Sequence, residues 1–394
     1  MRELIINKDK QVETICLVEN GKLIEKYENT GNSKHSRLEG NIYAGRVADI
    51  VPGMQATFVD YGDSKKGLLH LKDAIAQVDE KKEKSEDISK LKITDILKKD
   101  QKILVQIKKD SNDKKGAKIS THISIPSRYI VFMPNTSIVT ISQKIPDGER
   151  KEKLLKLVKS QISDTDGAVI RTSALEVDDE EIKKDINRCI KKWKKIISDY
   201  EKSEAGTLIY ESETVQAKIL IDIKVDKVIT NNQEEFEKLK KLIQLEEIKG
   251  VKLDFVPKHD LLDTYDLNAQ INKSKERKIW LNCGGFITID KTEALTAIDV
   301  NTGKFTGKSD LENTVFKVNK EATIEIAKQL RLQDIGGIII IDYIDMHEDE
   351  NKEKIENMLK EELKSDRAKT QVEGFTKLNL MEMTRKHICS HLDE

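Results

Sequence analysis

Two short segments carry carboxylates at positions where chemistry can use them. The first is Thr296-Ala-Ile-Asp-Val-Asn-Thr302, which reads as a strand. Alternate residues of a strand share a face, so Ile298 and Val300 face a core while Asp299 and Asn301 point together to the other side. Thr302 and Gly303 follow, which puts the pair at a strand end, where loops and ligands meet. The second segment is Gly336-Gly-Ile-Ile-Ile-Ile-Asp-Tyr-Ile-Asp-Met346. Its four isoleucines read as a strand buried on both faces. Asp342 leaves that strand at its carboxyl end, where open α/β sheets place ligands. Neighbouring strands lie about 4.8 Å apart, so Asp299 and Asp342 approach one another if their strands are adjacent. Two close carboxylates repel, and a hard divalent cation removes that cost. Magnesium takes a few carboxylates, keeps its waters and binds phosphate; it can polarise a phosphodiester and supply a hydroxide nucleophile. The other reading makes both aspartates strand-end or capping groups, which periodicity leaves open. Asp345 reads as the cap of the next helix, a direct metal role being the alternative.

A second set of residues suits a polyanion with flat bases. Gly40-Asn-Ile-Tyr-Ala-Gly-Arg46 and Ala56-Thr-Phe-Val-Asp-Tyr-Gly62 are short strands with spaced aromatics and a basic residue. Phe58 and Tyr61 on a small barrel can stack bases, each stack contributing about 1–3 kcal/mol; a core role for Phe58 is equally consistent with the spacing. Lys108–Lys118 is locally basic and reads as a loop able to meet phosphate oxygens, although two aspartates dilute it and a solvated turn is the other reading. Arg171–Thr172 follows the apolar run Ala168–Ile170. A guanidinium beside a hydroxyl can grip a terminal phosphate; an ion pair with Glu176 or Asp178 is the competing use. His347, His387 and His391 are not at zinc-ligand spacing, and GxSxG, Walker and dinucleotide-binding fingerprints are missing.

The elements that must position these residues fall into blocks. Residues 1–28 alternate apolar and polar and read as strands, with a hairpin turn at Asn20–Gly21. Residues 40–72 read as short glycine-punctuated strands of a small barrel, and 76–101 as a charged excursion from it. Strands follow over 119–142, a helix over 147–162, and a strand at Val169–Thr172. Ile182, Ile186, Cys189, Ile190, Trp193, Ile196 and Ile197 recur at helical spacing over 179–200, with Trp193 as packing. Residues 207–230 are strand-like, 232–246 helical and 249–256 a strand. From about 280 the pattern is α/β: strands at 285–290 and 294–301, a helix at about 311–332 with Asn319 and Thr323 inward, a strand at Ile338–Ile341, and a helix near 351–364.

The chain has 394 residues, enough for about two to four domains. Its 37% hydrophobic residues suffice for real cores. With 69 basic against 70 acidic residues, a globally basic binder is excluded and any contact with nucleic acid must be local. Cys16, Cys189, Cys283 and Cys389 are far apart with no CxxC pair, which fits a reducing compartment and argues against a disulfide framework or a zinc knuckle. The start MRELIINKDKQ has no apolar run of a signal peptide. No stretch approaches the roughly 20 apolar residues that span a bilayer. A soluble, cytoplasmic protein without membrane association is expected.

Several long segments occur in the order found in one family: GNIYAGRVADIVPGMQATFVDYG, ISIPSRYIVFMPN, VIRTSA, GGFITIDKTEALTAIDVNTG, AKQLRLQDIGGIIIIDYIDM and LMEMTRK. The chain resembles the ribonuclease E/G endoribonucleases over nearly its whole length, and their ribonuclease G branch most, since the long acidic tail of ribonuclease E is missing. The resemblance implies an α+β and α/β multidomain fold. An RNase H-like domain, expected to be structural, would be split between 1–38 and 207–278. An OB-fold RNA-binding barrel would occupy 39–120, a 5′-sensor region 121–206, and a DNase I-like catalytic domain 279–394. It implies one catalytic Mg²⁺ on Asp299 and Asp342, with Asn301 supporting the scissile phosphate. A 5′-monophosphate would meet Val131, Arg171, Thr172 and Lys369. Single-stranded RNA would be gripped by Phe58, Tyr61, Lys109 and Lys115. The implied reaction is hydrolysis that leaves 5′-phosphate and 3′-hydroxyl ends on ribosomal RNA precursors and decaying mRNA. A non-catalytic RNA-binding protein of the same fold is the alternative, and intact Asp299, Asn301 and Asp342 speak against it.

There are departures from the family pattern. Members carry a CPxC motif after the MTRK segment, through which two chains share one Zn²⁺; here Cys389 stands alone, so that zinc is not carried over. A homodimer or higher homo-oligomer held by other contacts, or a weak one, is expected. Leu68 replaces an aromatic of some relatives, and Gln143 replaces a basic residue of the sensor region.

Overall fold

The computed structural model describes residues 1–10, 12–30, 38–74, 91–111, 115–142, 145, 148–257, 260–303 and 311–388. Gln143, Cys389 and His391 lie outside the described residues, as do parts of the charged excursion and of the basic loop. The chain divides into two compact units, Met1–Lys34 with Val215–Glu394, and His35–Thr214.

In the unit His35–Thr214, the strands Ile42–Val51, Ala56–Asp60, Gly67–His70, Lys118–Ser120 and Lys102–Lys109 form a sheet that closes when the last pairs with the first. Among the described residues this is a five-stranded barrel, with Leu208–Tyr210 added outside Ile42–Val51. Closure removes the exposed strand edges. The interior is filled by Val47, Val59, Leu69, Ile103, Val105, Ile107 and Ile119. It is narrow enough that a Cβ on Gly45 would stand 2.5 Å from Val59 Cγ1.

The rest of this unit is a sheet in the order Val139–Ile141, Gly167–Ile170, Ile130–Met133, Ile125–Pro126. The helices Glu149–Gln161 and Asp179–Lys202 pack with it in one core, through Leu154, Val158, Ile182, Ile186, Cys189 and Ile196. Trp193 packs against that core, as its place on the apolar stripe predicts.

The other unit holds two sheets. The first runs Lys252–Phe255, Lys227–Thr230, Arg2–Asp9, Val12–Glu19, Lys22–Thr30. One core contains Leu4, Ile6, Ile15 and Leu17 with Ile219, Leu220 and Leu239; the other contains Ile5, Cys16 and Val18 with Leu261, Leu267 and Ile271. Both faces are therefore covered, and Leu4–Ile6 and Ile15–Val18 are continuous buried runs rather than an alternation. The strand-like stretch 207–230 contains the helix Val215–Asp222, whose Ile219, Leu220 and Ile221 are buried together. Short apolar runs do not distinguish helix from strand, and packing decided here.

The second sheet has the order Lys278–Trp280, Phe286–Lys291, Leu295–Asn301, Gly337–Asp342, Leu380–Arg385, Thr370–Phe375. The only parallel pair among its described strands is Leu295–Asn301 with Gly337–Asp342. The helix Leu311–Leu332 lies between these two strands in sequence, and it packs with the helix Asp349–Glu362 into one core under the sheet. Arg367 ties this half of the unit to the first sheet, reaching the Glu25 carboxylate and the Tyr27 hydroxyl at 2.9 Å each.

The isoleucine run differs from expectation. Ile339 and Ile341 are buried, but Ile338 is 51% exposed and Ile340 half-buried. The helices cover one face of the sheet and leave the other open. That open face carries the carboxylates.

Candidate active site

The Leu295–Asn301 strand alternates as its sequence predicts. Thr296, Ile298 and Val300 are buried, Ala297 and Asp299 are exposed, and Asn301 is half-buried. Asp299 and Asp342 are register partners at the carboxyl ends of the two parallel strands. Their Cα atoms are thus one strand spacing apart, about 4.8 Å, and both side chains are exposed. Asn301 donates from Nδ2 to Asp299 Oδ2, which fixes the orientation of that carboxylate.

Partial burial first, and then the charges of Asp299 and Asp345, hold the Asp342 carboxyl above the ordinary carboxylate range. Neither Asp299 nor Asp342 has an ion pair with Lys or Arg among the described residues. This donor set suits a hard divalent cation. Two solvated carboxylates on neighbouring strand ends, already repelling, match an ion that binds through one or two carboxylates and retains water. Among the described residues no group of three or more His, Cys, Asp or Glu converges on one point, so no closed protein cage is offered.

The raised Asp342 acidity constant has a consequence for stability. An acid that holds its proton more tightly in the folded state destabilises that state once ionised. The penalty is present above the folded value and disappears as pH falls to the unfolded one. Asp342→Asn should therefore raise the melting temperature at pH 7 in EDTA, and the gain should fade as pH falls from the raised folded value to the ordinary carboxylate value. Differential scanning calorimetry across pH checks this; a variant that melts at or below the unmodified protein at pH 7 contradicts it.

The helix Leu311–Leu332 sets where the segment after Asp342 runs. Asn319, fully buried, donates to the Ile344 carbonyl at 2.8 Å and accepts from the Ile344 amide at 3.1 Å. Thr323 bonds the Tyr343 hydroxyl at 2.9 Å. The sequence places both polar groups inward on an apolar stripe, but their partners lie just past the strand Gly337–Asp342, 20 to 25 residues away. Asp345 is not the cap of the next helix. It accepts only a long bond, 3.4 Å, from Asn379, whereas Glu312 receives the amides of His347 and Glu348 at 3.1 and 3.2 Å and the Asn351 side chain at 2.9 Å. Glu312 thus holds the turn that enters this helix, and Asp345 adds negative charge near the pair.

In the barrel, Phe58 is half-buried beside its cross-strand partner Leu68. Tyr61 does not present its ring. It is 1% exposed, meets Tyr43 edge-on at 5.3 Å between centroids, and bonds Asp63 at 2.9 Å. Tyr61 stands three residues on from Phe58 and so has the opposite parity, which turns its ring inward as it does Val59. Lys109 and Lys115 are exposed. A Cβ on Gly116 would come within 2.0 Å of the Lys66 carbonyl, so that glycine lets the basic loop lie directly against Lys65–Lys66.

In the small sheet, Val131 is half-buried and pairs with Val169. Arg171 donates from Nη1 to the Ser127 carbonyl at 2.8 Å, and Thr172 is exposed. Asp185 was not singled out by sequence. It is fully buried, accepting from Ser127 Oγ at 2.6 Å, the Tyr129 amide at 2.9 Å and Arg188 at 2.9 Å. It fixes the turn against which Arg171 rests. Lys369, exposed, belongs to the other unit.

The described cysteines, Cys16, Cys189 and Cys283, are not joined in disulfides. His387 Nδ1 lies 2.8 Å from the Asp334 carbonyl. Among the described residues no helix is long and apolar enough to cross a membrane.

Comparison with known proteins identifies the family. The Ribonuclease E/G family model matches residues 124–388. Ribonuclease G of Escherichia coli strain K12 is 34% identical over 390 residues, covering 98% of this chain and 79% of the relative. Ribonuclease G of Haemophilus influenzae is 35% identical over 403 residues, covering 99% and 80%. Ribonuclease E of Buchnera aphidicola is 34% identical, and there the chain spans 41% of the relative's length. An enzyme of the ribonuclease class is thereby defined. Within that class, the chain belongs to the ribonuclease E/G family.

Proposed function

We propose that the protein is a magnesium-dependent endoribonuclease that hydrolyses single-stranded RNA and leaves 5′-phosphate and 3′-hydroxyl ends. The observation that carries this reading is the register pairing of Asp299 with Asp342 on the open face of a sheet otherwise packed by helices. These two carboxylates would hold the ion. Bound there, Mg²⁺ supplies charge neutralisation of the phosphodiester and a more acidic water. Asn301 keeps the Asp299 carboxylate oriented and presents an amide to the scissile phosphate. In hydrolysis a water oxygen bonds to phosphorus, the bond to the 3′-oxygen breaks, and that oxygen leaves with a proton. The phosphate stays on the 5′ side of the downstream product.

The five-stranded barrel is read as an OB-fold RNA-binding module over 39–120. Phe58, Lys109 and Lys115 would be its contacts, and Tyr61 a packing residue beneath them. The sheet and helices of 121–206 are read as the 5′-sensor region. The segments 1–38 and 207–278 are read as an RNase H-like domain, and 279–394 as a DNase I-like catalytic domain. Ribosomal RNA precursors and decaying mRNA in the cytoplasm are the expected substrates of a homo-oligomer. Cleavage of a single-stranded RNA oligonucleotide in Mg²⁺, against the same sequence as DNA, tests the reading. Equal rates on both sugars, or no cleavage of RNA with any divalent ion, would overturn it.

The sensor assignment gives its own result. Arg171 is braced by Ser127, and a charged hydrogen bond to phosphate contributes about 1.5–3 kcal/mol. Arg171→Ala should slow cleavage of 5′-monophosphorylated RNA roughly tenfold more than cleavage of 5′-hydroxyl RNA. An equal loss on the two substrates removes the assignment.

A further inference from the structure

The open face of the catalytic sheet carries a second constellation beside the carboxylates. Trp280, at the edge strand, is 53% exposed. Its ring meets Phe286 edge-on, with centroids 5.3 Å apart. Lys278 Nζ stands 3.6 Å from the Phe286 centroid and 4.3 Å from that of Trp280. In register, Trp280 partners Phe286, and Phe286 partners Asn301. The next row reads Lys278, Thr288, Asp299, Asp342. All these side chains share the parity of Asp299, because Ile279, Ile287 and Val300 between them point into the core.

An edge strand is protected by charge or proline, and an exposed tryptophan does the opposite. Here a large flat ring is propped against a second ring and flanked by an ammonium. Two strand spacings, about 10 Å, separate its row position from Asn301. An exposed ring with a neighbouring cation is what single-stranded nucleic acid meets on a protein surface: the base stacks and the cation faces the backbone. We infer that Trp280, supported by Phe286 and Lys278, stacks a nucleobase flanking the scissile phosphate and so sets the strand's position over Asp299 and Asp342. This subsite rests on the ribonuclease reading above and deepens it. It lies on the catalytic sheet, apart from the barrel residues of the other unit.

The test scans one abasic nucleotide along a cleavable single-stranded RNA, using the unmodified protein, Trp280→Ala and Trp280→Phe. Stacking contributes about 1–3 kcal/mol per base, or roughly 5- to 150-fold in kcat/KM. Trp280→Ala should lose activity in that range, and Trp280→Phe should keep most of it. One abasic position next to the cut should slow the unmodified protein by the same factor and leave Trp280→Ala no slower, because partners of one contact are not additive. A 2′-O-methyl oligonucleotide that cannot be cleaved should quench tryptophan fluorescence in the unmodified protein, and the quench should be lost in Trp280→Phe. Unchanged kcat/KM in Trp280→Ala, additive losses at every abasic position, or a change of oligomeric state in light scattering (which would make the patch a protein interface) overturns the inference. Failure of the unmodified protein to cleave RNA would instead sink the underlying function.

Discussion

Asp299→Asn should reduce kcat/KM for RNA cleavage by about a thousandfold or more while leaving the fold intact. The substitution is nearly isosteric, the side chain is exposed, and an amide oxygen can still accept from Asn301 Nδ2. What disappears is one negative charge of the pair. In the proposed mechanism a hard cation is bound and aligned by that charge, and such a cation stabilises a transition state by several kcal/mol, which converts to about three orders of magnitude in rate. Binding of uncleaved RNA should be little changed, because the proposed barrel contacts and aromatic platform remain. A variant within tenfold of the unmodified rate would show that the acidic pair is a structural strand end.

Arg385→Ala should have the largest effect on stability. Its guanidinium is fully buried, donating to Asp366 Oδ2 at 2.8 Å, to Asp334 Oδ1 at 2.8 Å and to the Ile335 carbonyl at 2.8 Å. Burial acts to lower its proton affinity, but the two carboxylates raise it overall, so the cluster is ionic. Removing the arginine leaves two buried carboxylates without their cation, and breaking a buried pair in this way costs about 3–5 kcal/mol. That is a large share of the roughly 5–15 kcal/mol that holds a domain folded. Lysine should rescue poorly, since one ammonium cannot span both carboxylates in the planar geometry of a guanidinium. Urea unfolding of this unit can be followed by Trp280 fluorescence in a Trp193→Phe background, because the two tryptophans lie in different units. An unchanged midpoint would contradict the assignment. The cluster also gives a physical reason for the Leu380–Arg385 segment: Met381 and Met383 alternate into the core, and Arg385 ends the row on two acids.

The acidic face was legible because a strand's period of two makes Asp299 and Asn301 share a side whatever surrounds them. The pairing of Asp299 with Asp342 was readable only as a possibility, since register is a long-range property; the intervening helix is what brings the two strands side by side. The isoleucine run was misread as doubly buried because four identical residues carry no period. Coverage was decided by two helices lying on the same side. Tyr61 was grouped with Phe58 by nearness in sequence, although residues three apart have opposite strand parity, and it turns inward with Val59. Asp185, Glu312 and Asn319 had no local signal of their roles. Each is a polar residue on a helix with a deciding partner 25 to 58 residues distant. Trp280 was visible as a residue, but only the sheet order places it on the same face as the carboxylates.

Electron paramagnetic resonance of Mn²⁺, used as a spectroscopic substitute for Mg²⁺, tests the shared-ion claim without any RNA present. The account predicts one ion bound by the unmodified protein and affinity weakened at least roughly tenfold in Asp299→Asn and in Asp342→Asn alike. Equal affinity in either variant, or no bound ion in the unmodified protein, would contradict it.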